Sequence, residues 1–170
     1  GCGPSVGLKG VDGPVSKIVL GTDTEMDAPT MAAMGDAVFE GGGNCFDTAF
    51  IYSDGRSEAL LGEWMAARGV RDELVVLSKG AHPPECSPEA VDRQLDQSLE
   101  RLQTNDLDLY CRHRDEPAVP ISEWVDALNR EVDKGRITLF GGSNWTAQRV
   151  DEANEYAAAN GLQGFSLLSN

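Results

Sequence analysis

Four apolar runs in this sequence stop at a side chain that can do chemistry. "NCFDTAFIYSD" (44–54) reads as a strand that closes on Asp47, with Tyr52 in the loop that follows. "ELVVLSKG" closes on Lys79, "DLDLYCRHRDEP" on His113, and "RITLFGGSNW" on Ser143 and Asn144. Taken singly, each has an ordinary reading: a turn aspartate, a solvated lysine, a packed histidine, a loop tyrosine that covers apolar surface. Delivered to one rim, they would make an acid–base device. A phenol with its usual pKa of about 10 is a poor acid near neutrality. An ammonium beside it favours the phenolate, and a carboxylate beside the ammonium holds that charge in place. An imidazole can orient or polarise a carbonyl oxygen. The chemistry would be proton delivery to a carbonyl under reduction, or proton removal from an alcohol.

The elements that would position these groups alternate. "KIVLGT" (17–22) is β-branched and ends in glycine, which predicts a first strand. A helix over 30–39 closes on Gly41-Gly42-Gly43, and "NCFDTA" is the second strand. Ser57 is expected to cap "SEALLGEWMAARG", whose apolar face is Leu60, Leu61, Trp64 and Met65. After the strand "ELVVLSK", Ser87 as cap and Pro88 as first residue open a helix with the stripe Val91, Leu95, Leu99 and Leu102. "DLDLYCRH" is followed by a helix expected to start at Ser122 and stop at Gly135. "RITLFGGS" is followed by a helix from Thr146 to Gly161, and "LQGFSLLS" is a sixth strand.

Strand–helix alternation at roughly 30-residue intervals predicts a parallel sheet covered by helices. The phosphate-binding G-x-G-x-x-G of an open nucleotide-binding sheet is absent after the first strand, which reads "GTDTEMD", and no Walker pattern occurs. The expectation is therefore an α/β (β/α)₈ TIM barrel, here incomplete with about six β/α units. In such a barrel the active site collects at the C-terminal ends of the strands.

Composition narrows the partners. The 170 residues carry 28 acidic against 14 basic side chains, a net charge of −14, which argues against nucleic acid and anionic membrane surfaces. No apolar run approaches the ~20 residues of a membrane span. The four cysteines form no C-x-x-C pair or zinc spacing, so no metal site is expected, and reduced structural cysteines suit a cytoplasmic protein. Residues 1–16, rich in Gly, Pro and Ser, read as a linker or N-terminal cover, and 17–170 as the barrel domain. The start lacks methionine and the end follows an apolar run, so a piece of a longer chain is expected.

"NCFDTAFIYSDGRSEALLGEW", "VVLSKG", "LDLYCRHRD" and "FGGSNW" together resemble the aldo-keto reductase family, from about Ser16 onward. The resemblance implies a (β/α)₈ barrel, here without strands seven and eight, and NADPH as cofactor, with NADH possible. It makes Tyr52 the general acid/base, Lys79 the partner that tunes it, Asp47 the partner of Lys79, and His113 the group that orients the substrate carbonyl. It makes Ser143 and Asn144 the pair that binds the nicotinamide carboxamide. A family glutamine near the end of strand six is not clearly matched; Ser169 or Asn170 lies close. The implied activity is hydride transfer between NADP(H) and a small aldehyde, ketone or sugar-like substrate. The alternative is a catalytically silent binding or regulatory module on the same fold. Fusion to, or association with, the missing barrel half is a further expectation. Among lesser candidates, His82 reads as a loop residue able to reach the pocket. Trp145 reads as pocket wall or core, and Trp64 and Trp124 as core.

Overall fold

Alternation along each strand sorts side chains to two faces, and here both faces are covered. The computed structural model describes residues 5–7, 11, 13–16 and 19–169. Strands β3 (Val19–Gly21), β4 (Cys45–Asp47), β5 (Val75–Gly80), β6 (Leu107–Arg112), β7 (Ile137–Ser143) and β8 (Leu167–Ser169) form one parallel sheet in chain order. Helices α1 (Ala28–Glu40), α2 (Arg56–Arg68), α3 (Pro88–Leu102), α4 (Ile121–Asp133) and α5 (Ala147–Asn160) connect them. This is the incomplete α/β barrel that the alternation predicts, and the sheet is not closed.

The outer face, through Phe46, Val76, Tyr110 and Phe140, packs with Leu61, Trp64, Leu95, Trp124 and Leu128 of the helices into the larger core. The inner face makes a second cluster of Cys45, Val75, Leu77, Leu109, Cys111 and Leu139. Val15 joins it from an antiparallel hairpin, β1 (Ser5–Gly7) and β2 (Pro14–Ser16). The Ser16 N–H donates to Asn44 Oδ1 (2.7 Å), the Asn44 N–H donates to Ser16 Oγ (3.0 Å), and Asn44 Nδ2 donates to the Pro14 carbonyl (2.7 Å). These bonds seat the hairpin at the N-terminal end of β4. The Gly/Pro-rich composition of this region concealed that regular structure.

Helix limits follow local chemistry, with two corrections at the caps and one in length: α1 is Ala28–Glu40 and not 30–39, because Asp27 caps it by accepting from the Thr30 N–H at 2.9 Å. Ser87 caps α3, accepting from the Ala90 N–H at 3.2 Å, and Thr146 caps α5 the same way through Arg149 N–H. Ser57 is not a cap: α2 begins at Arg56 after Gly55 in the left-handed region, and Ser57 is buried within the first turn. Ser122 is not a cap either, because Pro120, whose fixed φ already points into the helix, precedes Ile121. The last strand is shorter than the run 162–169, being Leu167–Ser169. Lys17 and Ile18 of the first expected strand, Cys2 and Asn170 lie outside the described residues. Helices α2 and α3 meet at Gly62, whose missing Cβ lets the Leu102 backbone approach.

Candidate active site

The inward positions of each strand continue into the polar residues at its end. Inward Cys45 is followed two residues on by Asp47. Val75 and Leu77 are followed by Lys79, Leu109 and Cys111 by His113, and Leu139 and Gly141 by Ser143. The parallel register aligns Asp47 with Leu77 and Lys79 with Cys111, so the polar groups share one mouth at the C-terminal ends. Backbone bonds extend the ladder into the loops: Phe50 N–H to Lys79 O (2.9 Å) and His113 N–H to Gly80 O (2.7 Å).

Lys79 is only 4% exposed, and its ammonium forms an ion pair with the Asp47 carboxylate. That pairing is what lets a charged lysine stay in the wall of the sheet. The Lys79 Nζ also lies 3.5 Å from the Tyr52 hydroxyl and 5.4 Å from the centre of its ring. Tyr52 opens a tight turn, Tyr52–Gly55, in which Ser53 and Asp54 hold φ values of 49° and 54°. The Tyr52 ring stands edge-on to the His113 ring, with centroids 6.1 Å apart. Burial, and then the positive charges of His82, Lys79 and Arg114, push the His113 pKa down to about 4. His113 is thus a neutral imidazole near pH 7, able to offer an N–H without adding charge.

Ser143 is buried at the end of β7, and Asn144 follows with φ 59°. Asn144 Nδ2 donates to Ser143 Oγ (3.1 Å) and to the His113 carbonyl (3.3 Å), which ties this loop to the histidine. The Ser143 hydroxyl keeps its own proton to donate, and no hydrogen bond to Asn144 Oδ1 is found among the described residues. A hydroxyl donor beside an amide acceptor complements the C=O and NH₂ of a carboxamide.

A family model described as "Aldo/keto reductase family" matches residues 17–164. The chain belongs to the aldo/keto reductase family. Aflatoxin B1 aldehyde reductase member 4 of Homo sapiens is 37% identical to it, over 80% of this chain and 42% of its own length. A putative aryl-alcohol dehydrogenase of Saccharomyces cerevisiae is 34% identical over 78% of this chain and 39% of its own. Norsolorinic acid reductase A of Aspergillus parasiticus is 31% identical over 96% of this chain and 47% of its own. This aldo/keto reductase chain therefore spans less than half the length of these curated relatives.

The structure brings Asp47, Tyr52, Lys79 and His113 together and puts Ser143 and Asn144 beside them. His82 is closer to the cluster than a plain loop role requires: its ring packs edge-on against His113 at 4.9 Å, with Nδ1 held 2.7 Å from the Pro83 carbonyl. Trp145 is core, its ring packed at a tilt of 58° against Phe165 with centroids 4.7 Å apart. Asp115 takes a two-pronged bond from Arg149 (2.8 and 3.0 Å), with Arg112 farther off at 3.7 Å. The sequence reading missed the polar layer behind Lys79: Ser78, Glu58 and Arg101. Among the described residues no His, Cys, Asp or Glu group is arranged for a metal, and no helix is long and apolar enough to cross a membrane.

Proposed function

We propose that this chain carries the proton-transfer centre of an NADP(H)-dependent reductase of small aldehydes and ketones, working in reverse on alcohols. The observation that carries the reading is the buried Lys79, paired with half-buried Asp47 and set against the Tyr52 hydroxyl, with neutral His113 on the same mouth. Tyr52 gives its proton to the carbonyl oxygen as the carbonyl carbon takes up hydride. Lys79 stabilises the negative charge left on the Tyr52 oxygen, and Asp47 holds the ammonium in place. The His113 N–H orients the carbonyl oxygen toward Tyr52. A bound nicotinamide would supply the hydride. Ser143 and Asn144 are the residues with the donor set to hold its carboxamide. The names of the relatives, aldehyde reductase and aryl-alcohol dehydrogenase, support a carbonyl/alcohol pair as substrate. Because those relatives are longer, the reading concerns the part of the site that these residues build.

The test is Tyr52→Phe in the protein, assayed for carbonyl-dependent NADPH oxidation over a panel of aliphatic and aryl aldehydes and ketones. Loss of a positioned general acid lowers kcat by about 10²–10⁴-fold, with NADPH affinity retained. Turnover of Tyr52→Phe close to that of the native protein would refute the assignment.

A further inference from the structure

Behind the wall that carries Lys79, on the helix side of the sheet, lies a charged group that no step above uses. Glu58, in the first turn of α2, has none of its side chain exposed. A carboxylate stays in such a place only when its oxygens are paired. One oxygen accepts from Arg101 Nη1 and the other from Ser78 Oγ, both at 3.0 Å. Ser78 is the residue before Lys79. Arg101, in the last turn of α3, uses the same Nη1 to donate to the Phe50 carbonyl at 3.0 Å, and its guanidinium lies 4.5 Å from the centre of the Phe50 ring. It also fills the space beside Gly55, where a Cβ would come within 2.6 Å of Nη1.

These contacts bracket one short loop. Phe50 and Gly55 are its ends, and Tyr52 lies between them. Two consecutive L-residues in it, Ser53 and Asp54, have φ of 49° and 54° ahead of Gly55, a conformation that costs energy at both and calls for outside restraint. The restraint has two sides. The Phe50 N–H is bonded to the Lys79 carbonyl, and the Phe50 carbonyl to Arg101. One ion pair, its carboxylate buried and its guanidinium half-buried, therefore touches both the loop of Tyr52 and the strand of Lys79.

We propose that Arg101 is a positioning residue: with Glu58 and Ser78 it forms a clamp that sets the Tyr52 hydroxyl against Lys79. Its kinetic consequence rests on the carbonyl-reductase reading, whereas its structural consequence does not. A buried ion pair is a poor source of stability compared with well-packed apolar groups of the same size. What it supplies here is direction, because a guanidinium fixes a carbonyl, a carboxylate and a ring at once.

The experiment compares the native protein with Arg101→Lys and with the paired replacement Glu58→Leu/Arg101→Met, which leaves no unpaired buried carboxylate. Five quantities are read: melting temperature, kcat, carbonyl KM, NADPH affinity, and amide hydrogen exchange over 50–55. The expected result for the paired replacement is a melting temperature close to native. Its kcat is about 10²-fold lower, as for a misplacement near 1 Å, with KM and NADPH affinity little changed. Exchange over 50–55 speeds up while that of β5 and β6 does not. Arg101→Lys, which keeps the charge but not the fork, falls between. Unchanged exchange over 50–55 in both variants overturns the proposal, as does a kcat loss matched by equal losses in KM and NADPH affinity. If the native protein reduces no carbonyl in the panel, the functional reading fails, and the exchange measurement alone decides the clamp.

Discussion

Replacing Gly62 by alanine tests the packing that carries this clamp. Helix α2 approaches α3 so closely that a Cβ at position 62 would lie 2.7 Å from Leu102 Cα and 2.8 Å from the Leu102 carbonyl carbon, and closer still to the Arg101 carbonyl oxygen. Ordinary Cβ contacts begin at 3.4 Å, so the helices must part by at least about 0.7 Å (3.4 less 2.7). The obstructing atoms are backbone, which no rotamer change can move. Alanine in a helix interior is intrinsically better than glycine by about 1 kcal/mol. Overpacking of a tight core costs about 1–3 kcal/mol, and a backbone obstruction belongs at the upper end. The net expectation is a loss of about 2 kcal/mol. Urea denaturation followed by circular dichroism should show a midpoint about 1 M lower at unchanged slope, for a slope near 2 kcal/mol/M. Gly69→Ala is the control: it has φ +64° but nothing within 4 Å, so it loses only the roughly 1–2 kcal/mol of a left-handed alanine. A Gly62→Ala protein as stable as the native one would refute the packing argument, since helix propensity would then have won.

Two further predictions concern buried charge. The folded-state pKa of His113, about 4, lies below its ordinary value, so the unfolded chain binds the extra proton between about pH 6.5 and 4. Its contribution to stability is present above pH 6.5 and is lost as pH falls toward 4. His113→Gln should flatten that part of the stability–pH curve, and an unchanged slope would refute the assignment. Arg112 is fully buried against the rings of Trp124 and Trp145, and burial pulls its pKa down to about 10. Its Nε and Nη1 have no hydrogen-bond partner among the described residues. Arg112→Met removes only the 3.7 Å contact to Asp115, which keeps its two bonds from Arg149, and the 3.1 Å bond from Nη2 to Cys86 Sγ, so it should be neutral or stabilising by up to about 2 kcal/mol in denaturant titrations, and a clear loss would show that the guanidinium is needed.

The parts of the site legible in the sequence share one cause. Asp47, Lys79, His113 and Ser143 each occupy the next inward position after a run of inward apolar residues, so period-two alternation carries both strand and site. Glu58 and Arg101 escape that logic. They sit in the first turn of α2 and the last turn of α3, where an acid and a base are ordinary helix-end charges. The warning sign in α3 was a second buried stripe that is polar: Gln94 and Ser98 are as buried as Leu95 and Leu99, and Arg101 continues that line. A search for apolar periodicity sees only the leucines. Ser57 and Ser122 were misread for a related reason, because a serine ahead of an apolar stripe signals a cap only when the backbone before it is extended. At Arg56 the chain is already helical, and Pro120 supplies the other start without a side-chain bond.

The main sheet runs in chain order, β3 through β8, so each strand pairs only with its sequence neighbours in that series. Such a sheet needs no strand to wait for a distant partner. Loop closure between neighbours spans only one helix, a shorter closure than any non-sequential strand order would need, which favours growth unit by unit in the direction of synthesis. The polar cluster then arrives in the same sequence. Asp47 and Tyr52 come first, Lys79 is seated when β5 docks on β4, and α3 brings Arg101 against Glu58 before β6 delivers His113. On that path the Tyr52 loop acquires its restraint before the imidazole that faces it is in place.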